Sequence, residues 1–298
     1  MKSFYKFAIF GLAMVGLQAK AQMSHDAIYM PKKTTCLAVV YGSTEWTNYW
    51  ENTLKRDNPN IGKHTTQSVM AMAAVGITDR LNLIVGVPYI KTNASAGNLM
   101  GQSGVQDISL WAKYRLFESK AGLSLHGVLG ASIPSHNYVP DFLPMSIGLK
   151  AKTASGRLIA SYKHKSGVYL TTHGTYSYRS VIKVDRDAYQ VDGRVFNSNM
   201  VAVPNATDAS ARLGILKQKY QVEGFIERFA CVDGDNIRRN DMPFPTNNMR
   251  ATTVGGYLKF QPKNIGFNAS FRQVIKGLNV GEARTYSLGL LYQINYNK

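Results

Sequence analysis

The chain has 298 residues, 35 Lys and Arg against 18 Asp and Glu, and a formal net charge of +17. So basic a chain attracts anionic partners: nucleic acid, an anionic lipid surface or acidic solutes. It carries no nucleic-acid-binding module, P-loop, nucleophile elbow or His-x-x-x-His spacing, so no residue pattern supports the nucleic-acid, nucleotide and metallohydrolase classes.

Lys2 and Lys6 precede an apolar run, Phe7 to Leu17, and then Ala19-Lys20-Ala21. A positive start, a short apolar core and an A-x-A site predict a signal peptide over residues 1–21, cleaved before Gln22. Its removal takes away three lysines and no acid, leaving +14 on residues 22–298. The longest later apolar run, Ser68 to Ile77, is too short for a membrane helix.

The remaining chain is predicted as strands separated alternately by long and short connections. The first runs from Thr34 to Trp46, followed by a polar loop to Gly62. Thr65–Ile77 turns at Thr78-Asp-Arg80 into Leu81–Lys91, and a Gly/Ser/Asn loop leads to Asp107–Phe117. In that fourth strand Ile108, Leu110, Ala112, Tyr114 and Leu116 alternate with Asp107, Ser109, Trp111, Lys113 and Arg115, the period of a sheet with two unlike faces. The fifth strand covers Leu123 to Ile133, and Pro134 to Pro144 is a long connection. Met145 onward reads as a bent lead-in to a sixth strand, Gly156–His164, which turns at Lys165-Ser-Gly167 into a seventh, Val168–Val181. The longest loop, Lys183 to Asp208, precedes the hairpin Ser210–Lys217 and Gln221–Cys231. A loop over Val232–Asn248 leads to Ala251–Phe260, which turns into Ile265–Ile275, and Ala283–Tyr296 closes the series.

The last strand places Tyr286, Leu288, Leu290, Tyr292, Ile294 and Tyr296 on one face and Thr285, Ser287, Gly289, Leu291, Gln293 and Asn295 on the other. Tyrosines at the ends of an apolar row with leucines between match a membrane-spanning strand with two aromatic girdles. The expected fold is all-β: a transmembrane, antiparallel, up-and-down β-barrel of about 12 strands, with 10 or 14 as alternatives. Short periplasmic turns and long external loops follow from both termini lying on the periplasmic side. Cys36 and Cys231 then sit at opposite ends of the barrel, too far apart for a disulfide, and are expected to be free thiols.

Two segments carry a resemblance: Gly76-Ile-Thr-Asp79-Arg-Leu-Asn-Leu83 running on to Pro88-Tyr89, and Gly104-Val-Gln-Asp107-Ile-Ser-Leu-Trp-Ala-Lys113-Tyr-Arg-Leu116. With Tyr176-Ser-Tyr-Arg179 and the closing strand, they resemble the outer-membrane proteins of the phenol meta-pathway (MetA-pathway of phenol degradation) family, related to FadL-like transporter barrels. The resemblance implies a barrel for passage of small, often hydrophobic molecules and supplies no catalytic residues. Fatty-acid transporters carry an N-terminal plug. Here only about a dozen residues precede the first strand, so the Lys183–Asp208 loop is the expected internal constriction.

Strand parity points Asp107, Lys113, Arg115, His126, His173, Arg179, Arg212 and Arg272 into the lumen. They read either as a basic pore lining that selects anionic or polar-headed solutes, or as a packed interior in which these cations pair with Asp107, Glu223 and Glu227. Ser124 and His126 share one strand face, the minimum for a Ser–His dyad, with no orienting acid in view. Asp233-Gly-Asp235-Asn236 lacks the further oxygen ligands of a calcium loop and reads as a solvated turn. Trp46 and Trp50, with Tyr286, Tyr292 and Tyr296, are expected at the membrane interface. The expectation is a monomeric bacterial outer-membrane channel for passive passage of small, hydrophobic or anionic molecules, not an enzyme and without metal or cofactor. It would contact outer-membrane lipid and lipopolysaccharide. A non-conducting accessory barrel and a lipid-modifying enzyme are the competing classes.

Overall fold

The computed structural model describes residues 22–239 and 241–296. The signal peptide expected over residues 1–21 lies outside them. Twelve long strands form one sheet: β1 Thr34–Trp46, β2 His64–Gly76, β3 Leu81–Ala94, β4 Asp107–Glu118, β5 Leu123–Pro134, β6 Thr153–Lys163, β7 Val168–Arg179, β8 Ala206–Leu216, β9 Tyr220–Cys231, β10 Arg250–Phe260, β11 Ile265–Leu278 and β12 Arg284–Asn295. Each pairs antiparallel with its neighbours in the chain. β1 pairs with β12 from Thr34↔Asn295 to Glu45↔Arg284, which closes the barrel. Within hydrocarbon, closure leaves no strand edge with unsatisfied N–H and C=O groups. Strands of about a dozen residues rise about 40 Å along their own axis; tilted by about 40°, they cross a bilayer core of about 30 Å.

The alternation read in the sequence becomes two faces. Leu37, Val39 and Tyr41 on β1, Leu110 and Tyr114 on β4, Leu213 and Ile215 on β8, and Leu288, Leu290 and Tyr292 on β12 are all exposed on the outer wall. Phe271 and Tyr286 face each other there with ring centroids 5.2 Å apart. Gly, Ser, Thr and charged side chains fill the opposite rows. The outer surface is thus apolar where a soluble sheet would be polar, as a lipid-facing wall requires.

Boundaries depart from expectation mainly at three places. β6 begins at Thr153, and β8 begins at Ala206, so Asp208 lies inside a strand and is not the end of the longest loop. β11 runs to Leu278 because of a bulge: Thr252 pairs with Lys276 and Thr253 with Val274, leaving Ile275 extra. An extra residue reverses which face later side chains occupy. The β3–β4 seam is short. Leu81–Gly86 pairs with Ser109–Tyr114, after which Pro88, which has no N–H, lets β3 turn to the short strand Ser103–Val105.

The outer loops fold onto one another. Ile182, Val184, Val201 and Val203 bury against Ala151, Leu149, Tyr189 and Phe244, and Arg186 donates to Asp141 at 2.8 Å. The Lys183–Asp208 loop, expected as an internal constriction, packs within a cap of external loops, and the segment that enters the lumen is a different one, described below. Two interface aromatics are corrected as well. Trp50 is 7% exposed and lies over Gly277, and Trp46 stacks on His64 from the inward row at 5.1 Å. Trp46 ends β1 on its inward row, and a hairpin of Asn48–Glu51 with Leu54–Asp57 buries Trp50. Tyr286, Tyr292 and Tyr296 stay exposed. Cys36 and Cys231 are both free and buried.

If the outer wall faces lipid, Leu288→Arg, at the middle of β12, should cost about 2–4 kcal/mol. Denaturant-titrated folding into phospholipid vesicles would read this; a change below about 0.5 kcal/mol would place Leu288 outside the bilayer.

Candidate functional site

The strands enclose a lumen whose two walls differ. β1, β2, β11 and β12 present Gly42, Ser68, Gly289, Ser270 and Ser287 inward, small residues that leave space. β4 to β9 present the long polar chains. The space is occupied by the segment Gln22–Pro31, which has no periodicity and runs up inside the barrel before β1. This corrects the expectation that so short an N-terminus carries no hatch. Nine or ten residues suffice, because the chain need only turn back at Pro31–Lys33 to reach the lumen. Gly76 permits that turn: a Cβ there would lie 2.0 Å from the Pro31 carbonyl oxygen.

Lys113 holds this plug. Its ammonium is 0% exposed and donates to Asp26 Oδ1 at 2.8 Å, the Ile28 carbonyl at 3.0 Å and the Met23 carbonyl at 3.2 Å. All three N–H bonds of the lysine are directed at the plug. Asp26 shapes the segment in turn, accepting from the backbone N–H groups of Met23 at 2.8 Å and Ile28 at 2.9 Å. Asn82 on β3 clamps Met30 on both sides: the Met30 N–H donates to Asn82 Oδ1 at 3.2 Å, and Asn82 Nδ2 donates to the Met30 carbonyl at 3.0 Å. The Met30 side chain fills an apolar pocket of Cys36, Ala74, Ile84 and Leu291. Tyr29 lies under the Arg115 guanidinium at 4.6 Å and beside the His126 ring at 5.2 Å, and Arg157 donates to Ser24 at 3.2 Å.

Most of the other inward cations are engaged with acids. Arg212 donates to Glu223 at 2.7 Å and also to Glu227, which accepts from Arg272. His173 lies 2.9 Å from Asp208 and 2.9 Å from Ser210 Oγ; Arg157 is 3.6 Å from the same Asp208 oxygen. Arg115 pairs with Glu118. Arg179 donates to the Pro204 carbonyl at 3.3 Å and covers the Phe229 ring. Among the described residues Asp107 takes no cation. Tyr138 of the loop cap donates to it at 2.6 Å, and burial, then this carboxylate, pushes the Tyr138 phenol well above its usual range. Both electrostatic expectations are thus present in part: a cation-rich lumen, with its arginines largely neutralised by Glu223, Glu227 and Asp208. The plug residues Asp26 and Tyr29, with Arg157 and Asp208, complete the network without a periodic signal for the plug to have foretold them.

A cavity of about 260 Å³ lies beside the plug, toward the short-turn end, bounded by Asp26, Tyr29, Arg115, His126, Arg212 and Glu223. Ser124 and His126 meet there at 2.9 Å, and among the described residues His126 Nδ1 has no hydrogen-bond partner. No acid orients the imidazole. At the outer end, Asp235 accepts from Asn247 and Asn236 from Asn279, contacts that make the Asp233–Asn236 stretch a structural turn.

Fold and site together define a twelve-stranded, closed antiparallel β-barrel with a lipid-facing apolar wall and a polar lumen partly filled by the segment Gln22–Pro31. No protein-family model matches the chain, and no curated protein matches it significantly. Among solved structures it is similar to the COG4313 outer membrane channel from Pseudomonas putida F1, with a TM-score of 0.71 at 13% sequence identity, over 89% of this chain and 97% of that one. It is also similar to the NanC porin, with a TM-score of 0.52 at 8% identity, over 87% of this chain and 100% of that one. At such identities the likeness is one of fold.

Breaking a buried ion pair by removing one partner costs about 3–5 kcal/mol. Asp26→Asn should therefore release the plug while the barrel stays folded. Limited proteolysis of the inserted protein from the periplasmic side should then cut within residues 22–30; protection equal to wild type would mean that Asp26–Lys113 does not hold the segment.

Proposed function

We propose that this protein is a passive outer-membrane channel for small molecules, narrowed by its N-terminal segment. One observation carries the reading. The lumen is wide enough to admit a ten-residue segment and still leave about 260 Å³ beside it. Eight-stranded barrels are filled by their own side chains and those of sixteen strands hold open water; twelve strands fall between. A barrel with a purely structural role has no need of an interior that must be filled by a separate piece of chain. Solutes would pass along the polar wall of β4 to β9, where Arg115, His126 and Arg212 face the cavity, with no energy coupling.

The finer assignment, to the phenol meta-pathway family, rests on the Gly76–Leu83 and Gly104–Leu116 motifs. The solved structures support the general kind: one similar barrel is described as an outer membrane channel and another as a porin. On this reading the solute is small, and the surroundings of Tyr29, Arg115 and His126 suit a ring or short chain with a polar or anionic end. A lipid-modifying enzyme is disfavoured by orientation. Ser124–His126 and the Ser210–His173–Asp208 run both face the lumen, where an acyl chain in the bilayer cannot reach them.

Planar-bilayer recording tests the channel. Wild type should show small conductance, and deletion of residues 22–30 should raise it severalfold; silence of both forms, together with no liposome swelling, would sink the idea. Arg115→Glu reverses one charge beside the cavity and should shift the reversal potential toward cation preference. An unshifted potential would place Arg115 outside the conducting path.

A further inference from the structure

The outward face is uneven at its outer rim. Four exposed cationic side chains project from four adjacent strands: Arg228 on β9, Arg250 on β10, Lys276 on β11 and Arg284 on β12. Register brings them together. Arg228 pairs with Thr252, which pairs with Lys276, so these two cations flank one threonine at about 10 Å, two strand spacings. Arg250 stands one outward position above that threonine. Arg284 pairs with Gln273, one outward position below the bulge.

The bulge is what places Lys276. The outward row of β11 runs through Phe267 and Phe271, odd positions; strict alternation would turn Lys276 into the lumen. The extra Ile275 reverses the parity and brings Lys276 out beside Arg250. The outer ends of β4 to β8 place Ile108, Ile133, Ala154, Tyr178 and Thr207 outward instead, with no charge.

Depth and pairing both indicate what the patch meets. The Phe271–Tyr286 ring pair lies one outward position below Gln273 and Arg284, so aromatic girdle gives way to cation as the wall leaves the hydrocarbon. Among the described residues no carboxylate lies within 4.0 Å of the four cationic groups. Nearby Glu45 pairs with Lys63 at 3.4 Å, and Glu282, whose carboxyl is held below its usual range chiefly by the hydrogen bond from Lys55, pairs with that lysine at 2.8 Å. Arg284 stands opposite Glu45 in register and adds to the field that holds the Glu282 carboxyl down, but among the described residues none of the four has an ion-pair partner. Such a group of cations at headgroup depth, above an apolar wall, calls for a phosphorylated lipid. Guanidinium groups bind phosphate by paired, charge-assisted hydrogen bonds.

We propose that Arg228, Arg250, Lys276 and Arg284 form a binding site for the phosphorylated saccharide headgroup of an outer-leaflet glycolipid of the lipopolysaccharide type. Its acyl chains lie along Ile226, Val254 and Phe271. The site rests on the orientation that puts the long loops outside and not on conduction, so it stands or falls separately from the channel reading.

Native mass spectrometry of the full-length barrel in detergent tests it, with bisphosphorylated lipid A, its dephosphorylated form and phosphatidylglycerol as probes. Bisphosphorylated lipid A should bind at one per barrel, and loss of its phosphates should weaken binding about tenfold or more, because the charge-assisted hydrogen bonds to phosphate are lost. The variant R228Q/R250Q/K276Q/R284Q should lose the same factor, and Lys91→Gln, an outward cation on the distant β3, should change nothing. Heat-modifiable gel mobility reports whether each variant is folded; if the quadruple variant is not, R228Q/K276Q is read in its place. Equal binding of phosphatidylglycerol, or wild-type affinity in a folded variant, would overturn the site.

Discussion

Backbone hydrogen bonding in hydrocarbon is the constraint on which this structure depends. An N–H or C=O group without a partner costs several kcal/mol where no water can reach it. The twelve pairs from Thr34↔Asn295 to Glu45↔Arg284 join the first strand to the last and leave the sheet without an edge. Closure then makes an inside and an outside, and the two-residue period of a strand assigns every side chain to one of them. The seam between β3 and β4, shortened at Pro88, shows the constraint locally: the Gln106 N–H donates to the Pro88 carbonyl at 2.8 Å where the regular ladder lapses.

Having an inside raises a second problem, how to fill it. The small residues on β1, β2, β11 and β12 leave room that side chains from β4 to β9 do not take up. The N-terminal segment takes up much of it, tied by a lysine whose charge is withdrawn from water. Such a charge is tolerable only because Asp26 and two carbonyls surround it. The same logic runs through Arg212, Glu223, Glu227 and Arg272: cations inside the wall are matched by acids on neighbouring strands. Outside, at the rim of β9 to β12, four cations have no carboxylate within ion-pair distance among the described residues. The contrast between arginines ion-paired within and rim cations lacking such a contact separates what the protein satisfies itself from what it leaves for its surroundings.

Much of the fold was legible before any coordinates. Tyr286, Leu288, Leu290 and Tyr292 announce a lipid-facing row, and Lys113 and Arg115 an inward one, because period two is enforced at each residue. Regularity is also where such reading fails. Lys276 follows a bulge, and nothing in Gln273-Val-Ile-Lys276 marks which residue is extra. Trp46 and Trp50 have the composition of a membrane girdle, yet the parity of β1 turns Trp46 inward and the hairpin after it buries Trp50. Asp208 reads as the end of a polar loop until β8 is seen to begin at Ala206.

The plug is the clearest division between the two sources of information. Alternation alone determined a closed antiparallel barrel, its two faces and its alternately short and long connections, since each is a local consequence of strand geometry. That Asp26 meets Lys113 across 87 positions of sequence, and that the segment Gln22–Pro31 enters the lumen while the longest loop packs among the external loops, was decided only by tertiary structure. The reason is physical. A non-repeating segment is positioned by the cavity that receives it, and that cavity exists only once all twelve strands have closed.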